Sequence, residues 1–139
     1  MSQDQSDRWG CAPSLDEFAA LAEQAFEALP ETFRRMTGAV LFRVDDFATD
    51  EVLSELGIDN PFELTGLYSG LEVGLRSVMD PSPEPSRVFL YRRPILDEWA
   101  ERGDVSLAEL ITHVLVHEIG HHFGLSDAAM EALEAAADA

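Results

Sequence analysis

The segment from Ser106 to Asp127 constrains this chain more than any other. Ser106 and Glu109 stand at capping-box spacing, which is typical of a helix N-terminus. Apolar residues then recur at helical intervals and predict one long helix that reaches Phe123. Gly124 follows as a stop signal, because glycine tolerates the left-handed backbone that often ends a helix.

Polar residues interrupt the apolar pattern of this helix at His117-Glu118-Ile119-Gly120-His121, an H-E-x-x-H pattern. Two histidines four residues apart share one helical face and can bind one metal ion together. Zinc accepts imidazole nitrogen, and a catalytic zinc site has three protein ligands and one position open for water. The pattern therefore predicts a site for one Zn²⁺ ion, with Glu118 as catalytic base and a third ligand elsewhere.

Asp127 is the predicted third ligand. Gly124 lets the chain turn back, and Asp127 follows three residues later, which completes the pattern H-E-x-x-H-x-x-G-x-x-D. We predict that His117, His121 and Asp127 hold the metal. The alternative is two surface histidines on an ordinary packed helix, and it leaves the polar residues of an otherwise apolar stretch unexplained.

Three further residues, in or close to the motif, are predicted to have structural roles. His113 lies on the face of His117 but about 6 Å further along the axis, so we predict a supporting or core position. His122 is turned about 100° from His121 and is predicted to pack or to cap. Met130 has a spacing that suits helix packing better than a methionine turn beneath the metal.

On these residues the sequence resembles the zincins, and more narrowly the small bacterial zincin-like metallopeptidases with the H-E-x-x-H-x-x-G-x-x-D signature. The resemblance extends to a helix-first layout, to Gly66-Leu67-Tyr68-Ser69-Gly70 and to the strand from Val88 to Pro94. It implies a minimal zincin-like α+β fold. In that fold a small mixed sheet of about three strands packs on an N-terminal helix and on the H-E-x-x-H helix.

The resemblance implies a hydrolase, a zinc metallopeptidase that cleaves a peptide or protein substrate by a zinc-activated water with Glu118 as general base. The alternative is a non-catalytic or narrowly specific zinc-binding interaction module. The 12 residues after Asp127 leave little chain for the lower half of a cleft. A purely structural zinc site usually has four protein ligands and needs no base, so Glu118 favours the enzyme.

Two segments are candidates for aligning an extended peptide by β-augmentation, Leu64 to Leu71 and Val88 to Tyr91. The sequence leaves both open. Tyr68 is a weak candidate for substrate binding, because its hydroxyl could stabilise an oxyanion, and a half-buried packing role is the alternative.

Periodicity and turn signals predict one domain. Residues 1–13 are predicted to be a flexible tail, residues 14–139 a single domain, and residues 80–85 a proline-rich loop. The predicted elements are a helix from Ser14 to Pro30, a buried strand from Ala39 to Val44, a helix from Asp50 to Leu56 that stops at Gly57, a helix from Pro94 through Trp99 that Gly103 ends, and a closing helix from Asp127 to Asp138.

Composition excludes several function classes. All nine cationic residues are arginine, and 27 acidic residues give a net charge of −18, which argues against a nucleic-acid partner. No apolar run approaches the roughly 20 residues of a membrane helix. The polar, acidic N-terminus and the single cysteine, Cys11, predict a cytoplasmic protein without an internal disulfide. Oligomeric state, physiological substrate and cleavage specificity are not predicted.

Overall fold

The structure of the protein, a computed structural model, describes residues 12–69 and 86–138. These ranges contain six helices and a three-stranded sheet, so the predicted α+β class is confirmed. The elements are α1 Leu15–Glu27, α2 Glu31–Thr37, β1 Val40–Asp45, α3 Asp50–Leu56, β2 Gly66–Ser69, β3 Ser86–Tyr91, α4 Arg92–Arg102, α5 Leu107–His122 and α6 Asp127–Asp138. Most of the predicted tail, Cys11, the proline-rich loop and the end of the candidate segment Leu64 to Leu71 after residue 69 lie outside the described residues.

Both predicted capping boxes form. In α5 the backbone N–H of Glu109 donates to Ser106 Oγ at 3.1 Å, and the N–H of Ser106 donates to Glu109 Oε1 at 2.9 Å. Ser14 and Glu17 make the same pair of bonds at the start of α1. These bonds satisfy backbone donors that the first turn of a helix leaves without intrahelical partners.

The sheet has the strand order β1-β3-β2, with β1 parallel and β2 antiparallel to the central β3. The predicted arrangement of a small mixed sheet on α1 and α5 is confirmed, since α1 contacts β1 and α5, and α5 contacts β2. The prediction of a buried first strand is wrong in part. Successive side chains of a strand point to opposite faces of the sheet, and one face of β1 is open to solvent, so Leu41 is 53% exposed. Among the described strands, β1 lies at one edge of the sheet.

Helix α5 is the central element of the core. Ile111, Leu115 and Ile119 on this helix are fully buried, as are Phe18 on α1 and Leu90 on β3. Burying one such side chain is worth about 1.5–3 kcal/mol. The polar residues of α5 are therefore held on a helix whose position is set by packing on several sides.

Gly120 lets α6 approach α5 closely. A Cβ atom built on Gly120 lies 2.6 Å from Met130 Sδ and 3.0 Å from Met130 Cγ. Met130 is fully buried, which agrees with its predicted packing role. The contact requires the smallest residue at this position of α5.

Replacing Gly120 with valine should destabilise the protein by about 2 kcal/mol, because the branched side chain overpacks the Met130 contact. Urea unfolding monitored by circular dichroism measures this change. The matched control is Ala108→Val on an exposed position of the same helix, which should cost at most about 0.7 kcal/mol, the difference in helix propensity. Equal effects of the two substitutions would contradict the proposed contact.

Candidate metal centre

The turn after α5 has the geometry that the sequence predicts. Gly124 has φ of 74°, in the left-handed region. Its N–H donates to the carbonyl of His121, and the N–H of Leu125 donates to the carbonyl of Gly120 at 2.9 Å. These two bonds form a Schellman motif, which closes the helix and reverses the chain.

Helix α6 begins directly after this turn. The Ser126 hydroxyl accepts from the N–H of Ala129 at 3.1 Å and caps the helix, which makes Asp127 its first residue. Met130 then packs on Gly120, so α6 runs back along α5. This return brings the acidic side chains of α6 to the histidine face of α5.

Three histidines at four-residue spacing form a row on that face. The ring centroids of His113 and His117 are 4.1 Å apart, and those of His117 and His121 are 5.5 Å apart with the planes nearly perpendicular. His113 and His117 are half-buried, and His121 is exposed. His117 is therefore the middle member, flanked by an imidazole on each side.

The predicted ligands His117, His121 and Asp127 lie at the open end of this row. Asp127 is exposed at the N-terminus of α6 and is close enough to His117 to act on it electrostatically. Within the described ranges, however, the three donor atoms that approach within 4.8 Å of one another are those of His113, His117 and Glu134. The donor atoms of the predicted set, His117, His121 and Asp127, do not all lie within this distance of one another.

Glu134 is the residue that sequence reasoning missed. Its Oε1 lies 2.7 Å from His113 Nδ1, and its Oε2 lies 3.6 Å from His117 Nε2. The available signal was helical periodicity, because Asp127 and Glu134 are seven residues apart and share one face of α6. Turning that signal into a contact also required the antiparallel return of α6 along α5.

Burial lowers the pKa of His117 below its ordinary value, and the neighbouring His113 lowers it further, against the opposing effect of the Glu134 carboxylate. A neutral imidazole is the form that binds a metal ion. The chain thus favours the ligating form of His117 before any metal arrives.

Glu118 lies on the sheet side of the histidine row, where α5 meets β2. Its Cγ is 3.3 Å from a Cβ built on Gly66, so the glycine at the start of β2 leaves room for the glutamate. Burial raises the pKa of the Glu118 carboxyl above its ordinary value, while His121 opposes the shift. A raised pKa moves a carboxylate toward the range in which it can accept and return a proton.

Tyr68 is buried at 8% exposure, and its hydroxyl donates to Ser86 Oγ at 2.9 Å. His122 packs edge-on against the Tyr68 ring, with centroids 4.7 Å apart. These contacts agree with the packing interpretation of His122 and favour the packing alternative for Tyr68. An oxyanion role for Tyr68 requires its hydroxyl to leave Ser86.

Comparison with known families decides the classification. The profile of the zincin-like metallopeptidase family matches residues 37–137, which include β1, the whole histidine row and nearly all of α6. The chain belongs to this family. No curated protein matches the chain.

Membership in the zincin-like family implies zinc binding, and the donors of this zincin-like chain fit that ion. Imidazole nitrogens and carboxylate oxygens are ordinary zinc ligands, and the row offers three imidazoles opposite two carboxylates. The described helices include none that is both long and apolar enough to cross a membrane.

The buried charge of Glu118 predicts a pH-dependent stability change. The folded, metal-free protein holds the Glu118 proton more tightly than the unfolded chain does, so the charged carboxylate lowers stability at neutral pH. Glu118→Gln should therefore stabilise the metal-free protein at pH 7 by on the order of 1 kcal/mol. The gain should grow as the pH rises from 4.5, the ordinary value, through the raised pKa.

Urea unfolding of chelator-treated protein between about pH 4 and pH 8 measures this gain. Glu131→Gln, at an exposed position of α6, is the control and should show none. If Glu118→Gln stabilises the protein as much at about pH 4 as at pH 7, burial of the charge is not the cause of the gain. If Glu118→Gln gives no gain in stability at pH 7, the predicted cost of burying the charge is wrong.

Proposed function

We propose that the protein is a zinc metallopeptidase in which His117, His121 and Asp127 hold one Zn²⁺ ion and Glu118 is the general base. The observation that carries the proposal is the position of Glu118. It is a partly buried carboxylate with a raised pKa, and it stands between the histidine row and the start of β2. A site that served only to bind metal needs no such group.

A bound zinc ion supplies Lewis acidity, which lowers the pKa of a coordinated water and polarises a carbonyl oxygen. The residues of the chain carry out the proton transfers. Glu118 accepts the proton of the attacking water and returns it to the amine that leaves, so the carboxylate is regenerated. Its electrostatic interaction with His121 supports a role for Glu118 beside the proposed ligands.

The open end of the row supports a catalytic site. His121 and Asp127 are exposed, so a substrate can approach the ligands from solvent. Three protein ligands leave one position of a tetrahedral ion for water, as catalytic zinc requires.

Strand β2 is the edge that we propose for the substrate. Strand β3, which contains the candidate segment Val88 to Tyr91, pairs with a strand on each side and has no free edge. Strand β2 pairs with β3, and among the described residues no strand covers its other side. Because a Cβ built on Gly66 would lie 3.3 Å from Glu118 Cγ, a peptide paired with β2 would pass close to the base.

This geometry supports a peptide or protein as the substrate. An extended segment of a peptide or protein provides the backbone groups that an edge strand can pair with. The net charge of −18 disfavours a nucleic-acid substrate. The single cysteine supports the predicted cytoplasmic setting, since the chain has no internal disulfide to maintain.

The proposal predicts different results for the ligand and the base. Wild-type protein should bind one zinc ion per chain, and His117→Ala should abolish stoichiometric binding. Glu118→Gln should keep the zinc and lower the rate of cleavage of a peptide library by about 10²–10⁴-fold, the usual contribution of a general base. Metal analysis after dialysis and mass spectrometry of the library measure the two properties.

Glu131→Gln is the control for the loss of a carboxylate and should change neither zinc content nor cleavage. Absence of zinc from the wild type, or full zinc content in His117→Ala, would overturn the metal site. Zinc binding without any cleavage that depends on Glu118 would overturn the peptidase and favour an interaction module.

A further inference from the structure

A second set of metal donors begins one helical turn before the predicted site. One donor atom each from His113, His117 and Glu134 lies within 4.8 Å of the other two. We propose that these three residues form a second position for a divalent transition-metal ion, which shares His117 with the catalytic position. This inference rests on the proposed function only where it calls the site of His117, His121 and Asp127 catalytic.

One distance in this cluster is close to what a zinc ion needs, and the other is a hydrogen bond that the ion would replace. Zinc bonds of about 2.0–2.2 Å in tetrahedral geometry separate the ligand atoms by roughly 3.4 Å. Glu134 Oε2 and His117 Nε2 are 3.6 Å apart, close to that separation. Glu134 Oε1 and His113 Nδ1 are 2.7 Å apart in a hydrogen bond, which an ion bound between them would replace. One donor atom from each of the three residues already lies within 4.8 Å of the other two, so the side chains are close enough to share an ion.

Helical geometry separates the two positions and explains why one ion cannot use both. His113 and His121 are eight residues apart, which is about 12 Å along the axis of α5. Asp127 and Glu134 are about 10 Å apart along α6. Only His117 lies between the two pairs, and a neutral imidazole offers one lone pair to a metal. Occupation of the two positions is therefore mutually exclusive.

The second position lies away from the base. Glu118 is three residues from His121, which is about 60° around the helix, but five residues from His113, which is about 140°. An ion held by His113, His117 and Glu134 is therefore bound without access to the general base.

Space for solvent ligands exists beside the second position. A cavity of about 140 Å³ borders His113 and Glu134, and Arg102 and Glu109 also line it. Water molecules in this cavity can complete the coordination of an ion that has three protein donors. An ion could move between the two positions while it stays bound to His117. Its other ligands would then change from His113 and Glu134 to His121 and Asp127.

Zinc binding to a variant without the catalytic donors tests the proposal. His121→Ala combined with Asp127→Ala removes two of the three catalytic ligands, and both residues are exposed, so the fold should persist. Circular dichroism checks this. The probe is Zn²⁺ alone, titrated in competition with a chromophoric chelator.

We expect the double variant to bind one zinc ion per chain, more weakly than the wild type. Adding Glu134→Gln, or separately His113→Ala, should weaken this binding by about 100-fold or more, since even residues that only support metal ligands contribute 10–100-fold. Adding Glu131→Gln or His122→Ala, the matched carboxylate and histidine controls, should leave it unchanged. In the wild-type background, Glu134→Gln and His113→Ala should leave one zinc ion per chain.

The proposal is overturned if the folded double variant binds no zinc, or if its binding does not respond to Glu134→Gln and His113→Ala. Either result leaves the zinc content and the Glu118-dependent activity of the wild type untouched. Failure of the proposed function would instead appear in the wild-type protein itself. The outcomes of the two proposals are thus distinguishable.

Discussion

The close contact between α5 and α6 is the constraint on which the rest of the site depends. It exists because Gly120 has no side chain and Met130 fills the space above it. The Schellman turn at Gly124 supplies the reversal that this contact requires. Together they place two carboxylates, Asp127 and Glu134, opposite a row of three histidines. A larger residue at the contact would separate the two helices and with them the two halves of the donor set.

Helix α5 has an apolar side that packs into the core and a polar side that carries the candidate site. Its apolar residues bury against α1, the sheet and α6, and this packing fixes the helix in place. Its polar face carries His117 and Glu118, and the same burial penalises the charged form of each. For His117 the penalty favours the neutral, ligating form, and for Glu118 it makes the carboxylate a stronger base. The chain gives up some stability at neutral pH to hold Glu118 in this environment.

Much of the fold was predictable, because its signals are local. The caps at Ser14 and Ser106, the helix stops at Gly57, Gly103 and Gly124, and helical periodicity predict element boundaries within a few residues. The position of β1 at the edge was not predictable in the same way. Its apolar composition resembles that of a buried strand, and strand order depends on long-range pairing that no local pattern encodes.

The same distinction between local and long-range signals applies to the candidate site. The motif from His117 to Asp127 is readable from the sequence because its spacing follows from one helix and one turn. Glu134 was missed because its role depends on how α6 packs on α5, across 21 residues of sequence from His113. The same packing gives His113 a carboxylate partner, which its place on α5 alone did not reveal. Side chains from two elements form a site only when the packing between those elements is known.

The most direct test of the account is the location of zinc in crystals of wild-type protein loaded with one equivalent of the ion. Anomalous scattering at the zinc edge identifies the metal without ambiguity. We expect one peak, held by His117, His121 and Asp127, with a water as the fourth ligand within hydrogen-bond reach of the Glu118 carboxylate. A peak closed by four protein ligands, or one out of reach of Glu118, would contradict it.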